Sequence, residues 1–210
     1  MRLFPIALFI SCCFMVACSP QSSKETASDD VEEVVIDDHI YHSEATGWTM
    51  EIPEGWTVMK RNDLNQKMEK GKEVLEDVIG EEYDYSALEF LVNFQKDEFN
   101  MFQSTAEPYD ETTRGDWEAN NAQLKGIIYD AYTNQGILID TTETTTENIG
   151  GLDFKRFDVA LFDPNGKVIL NQIMYTRLIN GREVAININY NNVGFREEMI
   201  SAWKKSTFAQ

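Results

Sequence analysis

The sequence predicts an α+β fold, a mainly antiparallel sheet with helices flanking it. Three observations carry this. Strand patterns with period-two alternation come in neighbouring runs joined by tight turns, which is how antiparallel partners are connected. Segments with apolar residues at helical spacing separate those runs and close the chain. In the second half, Asp163-Pro164-Asn165-Gly166 and Asn180-Gly181 stand where hairpins reverse, the latter a two-residue tight-turn signal.

Residues 1–17 read as a secretory signal and not as part of the fold. Arg2 supplies the positive start, and Leu3 to Ala17 is mostly apolar but short of the roughly 20 residues that a membrane span needs. The run ends Met15-Val16-Ala17-Cys18, which resembles the lipobox of bacterial lipoproteins, although Met15 departs from the usual leucine. In such proteins a small residue precedes a cysteine that is lipidated and becomes the mature N-terminus. Cys18 is therefore the expected lipidation site. Three alternatives compete. Cleavage after Ala17 without lipidation would want a small residue at Met15, Cys12 or Cys13 as acceptor would leave too short an apolar run, and the segment could stay as an uncleaved anchor. All three cysteines lie here, so the folded part is expected to hold no disulfide, thiol nucleophile or thiolate metal site.

Residues 18–38 are the lipidated cysteine and an acidic tether, with Asp29, Asp30, Glu32, Glu33, Asp37 and Asp38 against the single base Lys24. Like charges without a sizeable apolar face keep such a segment extended, and about 20 residues would hold a domain some tens of ångströms from a bilayer. Residues 39–210 are the globular domain. Ile40 and Tyr41 start an edge strand. Trp48, Met50 and Ile52 alternate with Thr49 and Glu51, placing three apolar side chains on one strand face, and Pro53 and Gly55 end the strand before Trp56. Asp63 caps a helix running to Ile79, with Leu64, Met68, Leu75, Val78 and Ile79 on one face. Leu88 to Gln95 and Phe99 to Thr105 form a hairpin about Lys96-Asp97. A second helix, starting near Gly115 and closed by Gly136, carries Trp117, Leu124, Ile127, Ile128 and Ala131. Ile137 to Thr146 is a strand. Leu152–Phe162, Val168–Ile179 and Arg182–Tyr190 make a three-strand meander, and a last helix from Val193 to Lys205 sets Phe195, Met199 and Trp203 on one face.

The stretch Gly47-Trp48-Thr49-Met50-Glu51-Ile52-Pro53-Glu54-Gly55-Trp56 resembles the start of the PsbP-like superfamily, which includes bacterial DcrB-type lipoproteins. Glu183 to Tyr190, with the terminal helix running to Ser206-Thr207-Phe208, is similar as well. The resemblance implies an α/β/α sandwich over residues 40–208, members that mostly bind or stabilise other proteins, and no shared catalytic motif.

The residues agree in offering little chemistry. Asp and Glu total 36 against 18 Lys and Arg, a net charge of −18, which repels phosphate backbones and anionic headgroups, so no nucleic acid is expected as partner. His39 and His42, three apart in an extended segment, would face opposite ways, poor geometry for one metal even beside Asp37, Asp38 and Glu44. The clusters Glu81-Glu82-Asp84 and Glu107-Asp110-Glu111 lack Ca²⁺-loop spacing and read as solvated loops. Asn187, Asn189 and Asn191 alternate with Ile186, Ile188 and Tyr190 and line one strand face, which either contacts a partner or is an ordinary polar sheet face. The tryptophans read as packing. The expectation is a non-enzymatic protein without cofactor or metal, held to a bacterial envelope membrane through lipid on Cys18 and binding another envelope protein. Ser19, not being Asp, suggests the outer membrane facing the periplasm if the source is Gram-negative. The alternative is a domain that binds a small ligand or divalent cation.

Overall fold

Trp48, Met50 and Ile52 are buried while Glu51 is exposed, as the alternation requires, and Gly55 takes φ +73° to bring Trp56 back against the core. The computed structural model describes residues 36–37, 39–66, 68–69, 76 and 86–209. Cys18, the signal and most of the tether lie outside the described residues, as do Glu81, Glu82 and Asp84.

The described chain opens with β1 (Ile36–Asp37), β2 (Ile40–Ser43), β3 (Trp48–Glu51) and β4 (Thr57–Val58). β1 falls within the stretch read as tether. Residues 61–66 are helical, with Leu64 N–H bonded to the Lys60 carbonyl, so Asp63 sits inside the first turn and does not cap it. Most of the predicted remainder of that helix lies outside the described residues. Next come β5 (Glu89–Phe90), β6 (Phe94–Gln95) and β7 (Met101–Pro108), a short α1 (Glu111–Arg114) and the long α2 (Trp117–Asn134). α2 starts where the Asp116 carboxylate accepts from Ala119 N–H and ends ahead of Gly136, whose φ of +74° turns the chain back. β8 (Leu138–Thr141), β9 (Thr145–Ile149), β10 (Leu152–Phe162), β11 (Val168–Ile179) and β12 (Arg182–Tyr190) follow, then α3 (Val193–Lys204) and β13 (Thr207–Phe208).

All pairings are antiparallel. The small sheet runs β1-β2-β3-β13 and the large one β4-β6-β7-β12-β11-β10-β8, with β5 added to β7 and β9 to β10. The meander stands at its predicted bounds. Three expectations need correcting, and one strand was not foreseen. β2 has neighbours on both sides, so it is not an edge strand. The strand expected at 137–146 is two pieces, because Thr142 Oγ1 accepts from Asp158 N–H and interrupts the ladder between β8 and β9. The first arm of the hairpin is also broken: the Asn93 side chain donates to the Ser104 carbonyl and accepts from Ser104 N–H, replacing strand pairing between β5 and β6. β13 carried too few residues to show a pattern, and it closes the small sheet against β3.

The large sheet has helices on both faces. Along β11, Ile173 and Tyr175 join Trp48, Phe102, Phe154 and the α3 residues Met199 and Trp203 on one side. Leu170 and Met174 join Phe157, Val159, Leu161 and the α2 residues Leu124, Ile128 and Tyr132 on the other. Among the described residues no helix is long and apolar enough to cross a membrane.

Candidate functional site

The α2 side of the sheet changes character along its width. Over β10, and at Leu170 and Met174 of β11, it is apolar, but over β7 and β12, and at Gln172 and Thr176 of β11, it is a buried seam of polar side chains. Period-two alternation places Gln103, Thr105 and Glu107 of β7 on this side, and Glu183, Ala185, Asn187 and Asn189 of β12 beside them. The register matches them pair by pair: Glu107 opposite Glu183, Thr105 opposite Ala185, Gln103 opposite Asn187. Burying such groups is costly unless they bond one another.

At one end two carboxylates lie side by side. Arg114, at the end of α1, sets Nη2 2.9 Å from Glu107 Oε1 and 3.6 Å from Glu183 Oε2. Trp117 Nε1, at the start of α2, donates to Glu183 Oε1 at 2.9 Å. The Tyr109 ring lies 4.3 Å from the guanidinium, and its hydroxyl donates to the Gly115 carbonyl while receiving Asn120 Nδ2 at 2.6 Å. Burial first, and the neighbouring Glu107 second, push the Glu183 carboxyl up to about 7, against the bond from Trp117 and the charge of Arg114. Burial and the neighbouring carboxylate thus favour the protonated form of Glu183 up to about neutral pH.

At the other end runs an amide ladder. Tyr132 Oη donates to Gln172 Oε1 at 3.1 Å, Gln172 Nε2 to Asn189 Oδ1 at 2.7 Å, and Asn189 Nδ2 to Gln103 Oε1 at 2.8 Å. Asn121 of α2 adds a bond to Thr176 Oγ1 at 2.6 Å. Asn187 and Asn189, the asparagines singled out from sequence, share a face as expected, but they are only 4% and 1% exposed. Asn191 is exposed and leaves the strand to bond Asn100, whose carboxamide also receives the Asn191 and Asn192 amides ahead of α3. The three are thus not brought together.

The remaining sequence candidates have local tasks. His39 is the turn residue before β2, with φ +66°, and the His42 ring bonds Thr49 Oγ1. Glu107 belongs to the seam, Asp110 caps Thr112, and Glu111 accepts from Trp117 N–H. Among the described residues no three His, Cys, Asp or Glu side chains are grouped so as to hold a metal ion. Sequence reading missed Arg114 and Glu183. Glu183 was findable, since it lies on the same parity of β12 as Asn187 and Asn189; Arg114 was not, because only the fold of the β7–α2 connection brings it there.

Outside, large apolar side chains gather where β8, β10 and β11 end together. Phe162 is in register with both Leu138 and Val168; Leu138 is 54% and Ile169 46% exposed, and Val168 is exposed beside them.

The order of strands and the two helical layers can be compared with known proteins. No family model matches the chain, and no curated protein matches it. Among solved structures, cyanobacterial PsbP (CyanoP) from Synechocystis sp. PCC 6803 superposes with a TM-score of 0.54 over 87% of this chain and 98% of that one, at 7% identity. The chain has a PsbP-like fold. At that identity the likeness is one of fold alone, and within the PsbP-like frame the seam occupies the space between sheet and α2.

Proposed function

We propose that this is a lipid-anchored protein of the bacterial cell envelope, held by Cys18, whose PsbP-like domain works by binding another protein and not by catalysis. The observation that carries the reading is the apolar corner. Contiguous exposed apolar side chains mark interaction sites, and here Leu138, Val168 and Ile169 crowd one end of the sheet. Glu183, the carboxyl that burial pushes up to about 7, is instead enclosed, where it serves the fold. The net charge of −18 favours a partner with a basic rim around an apolar contact.

Two experiments test this. A photo-cross-linking residue at Leu138 or Ile169, in cells, should join one defined partner, identified by mass spectrometry, while the same residue at Glu44 in the β2–β3 turn should not. Ile169→Asp should abolish the cross-link at Leu138 without lowering the melting temperature. Equal labelling from Glu44, or an unaffected cross-link in Ile169→Asp, would overturn the assignment of the corner. For the anchor, Cys18→Ser should abolish lipid labelling and release the protein from membranes, since stable anchoring takes more than one acyl chain. Retention of Cys18→Ser through carbonate and salt washes would refute lipidation.

A further inference from the structure

The polar seam has a gap between its two halves. The carboxylate pair and the amide ladder are separated by the row formed by Thr105 and Ala185, and Ala185 has only a methyl group where its strand neighbours on that face carry Glu183 and Asn187. Above that methyl, itself half-buried, the structure leaves a partly open pocket of about 10 Å³, lined by Gln103, Ser104, Thr105, Met174, Ala185, Ile186 and Asn187. That is close to the volume one water molecule needs, and the lining offers the two or more polar partners a buried water requires.

The decisive group is Gln103, which is 1% exposed. Its Oε1 is taken by Asn189, and its Nε2 has no acceptor among the described residues. An orphaned buried amide donor costs about 1–3 kcal/mol, a large penalty at a position that borders a void. The direction of the amide ladder does not remove the need. If every carboxamide from Gln103 to Gln172 were reversed, Nε2 would donate to Asn189 and Oε1 would become the orphan in its place. Either way one polar atom of Gln103 is left on the cavity side.

We propose that an ordered water sits over the Ala185 methyl, bonded to the free amide atom of Gln103 and to the Thr105 hydroxyl, as an integral part of the seam. The site is small and single-occupancy, with polar atoms from Gln103 and Thr105 on an otherwise mainly apolar lining. It makes Ala185 the residue that fixes the site, because any larger side chain there fills the volume.

The test uses the ¹⁵N-labelled full chain. A long-lived water should give a cross-relaxation peak to the Gln103 side-chain amide. In Ala185→Ser, whose hydroxyl can replace the water as partner, that peak should vanish with the melting temperature held within about 1 °C. Ala185→Val fills the volume without a polar group, and it should melt several degrees below Ala185→Ser, because it leaves Gln103 unpaired. Absence of the water peak in the native protein overturns the proposal. So does a Val variant as stable as the Ser variant, the signature of a dry void that welcomes apolar atoms.

Discussion

Where β7 and β12 cross it, the large sheet has two faces built from opposite materials. On the α3 side Trp203 is the hub of a ring cluster, its centroid 5.1 Å from Phe154, 5.5 Å from Trp48 and 5.6 Å from Tyr175, with Phe102 and Phe208 completing the shell. On the α2 side the same strands present Gln103, Glu107, Glu183, Asn187 and Asn189. Apolar area removed from water stabilises at roughly 25 cal/mol per Å², so the aromatic face supplies most of the stability. The polar face adds little net free energy, since its bonds replace bonds to water. It adds specificity, because each partner must be met at a fixed position and a slip in strand register would strand several groups at once.

Breaking the aromatic face should cost the most. Trp203→Ala is expected to remove about 3–5 kcal/mol, lowering the melting midpoint by more than roughly 6 °C. Calorimetry of the variant checks this, and a shift under two degrees would mean that the hub collapses onto its neighbours without loss.

The polar face should respond to pH in a way the aromatic face does not. Glu183 titrates near 7 in the folded protein and near its ordinary 4.5 when unfolded. A carboxyl raised by folding contributes stability that is complete below about 4.5 and is lost as pH rises through about 7. The span amounts to about 3 kcal/mol at most. Glu147 works in the other direction. Burial alone would raise it, but bonds from Lys204, Arg156 and Tyr175 override that and hold it low, so its contribution is lost only as pH falls below the ordinary carboxylate range. Urea unfolding at pH 5 and pH 8 should therefore show wild type losing stability over that interval, and Glu183→Gln losing about 2–3 kcal/mol less. Identical slopes for the two proteins would show that Glu183 is ionised throughout.

The smallest effects separate the asparagines. Asn189→Ala orphans Gln172 Nε2 and Gln103 Oε1 together and should cost about 2–3 kcal/mol. Asn191→Ala, exposed at the strand end, should cost less than about 1 kcal/mol. Equal losses would mean that the seam is more hydrated than the ladder geometry allows.

These contrasts mark what could be read beforehand. β10, β11 and β12 were legible to the residue because long alternating runs and two strong turns bound them. The opening strand was legible because its three apolar residues alternate cleanly. The breaks at Asn93 and Thr142 were not, since in each a side chain replaces a main-chain partner that lies far away in sequence. The site was half legible. Alternation placed Asn187 and Asn189 on one face, but whether that face meets water or helices is decided by packing, which no local pattern encodes. Arg114 meets Glu107 and Glu183 only through tertiary structure.

The indole of Trp48 donates to Ser206 Oγ across 158 residues, and β13 lies against β3 next to it. β3 thus has one neighbour close to it in sequence, β2, and another, β13, from beyond α3. Such a chain has a high contact order and must close a long loop before its core is rewarded. Until residues 207–208 are in place, β3 has β2 alone beside it in the small sheet. Closure of the small sheet therefore waits on residues 207–208, which act as a latch on the long loop between β3 and β13.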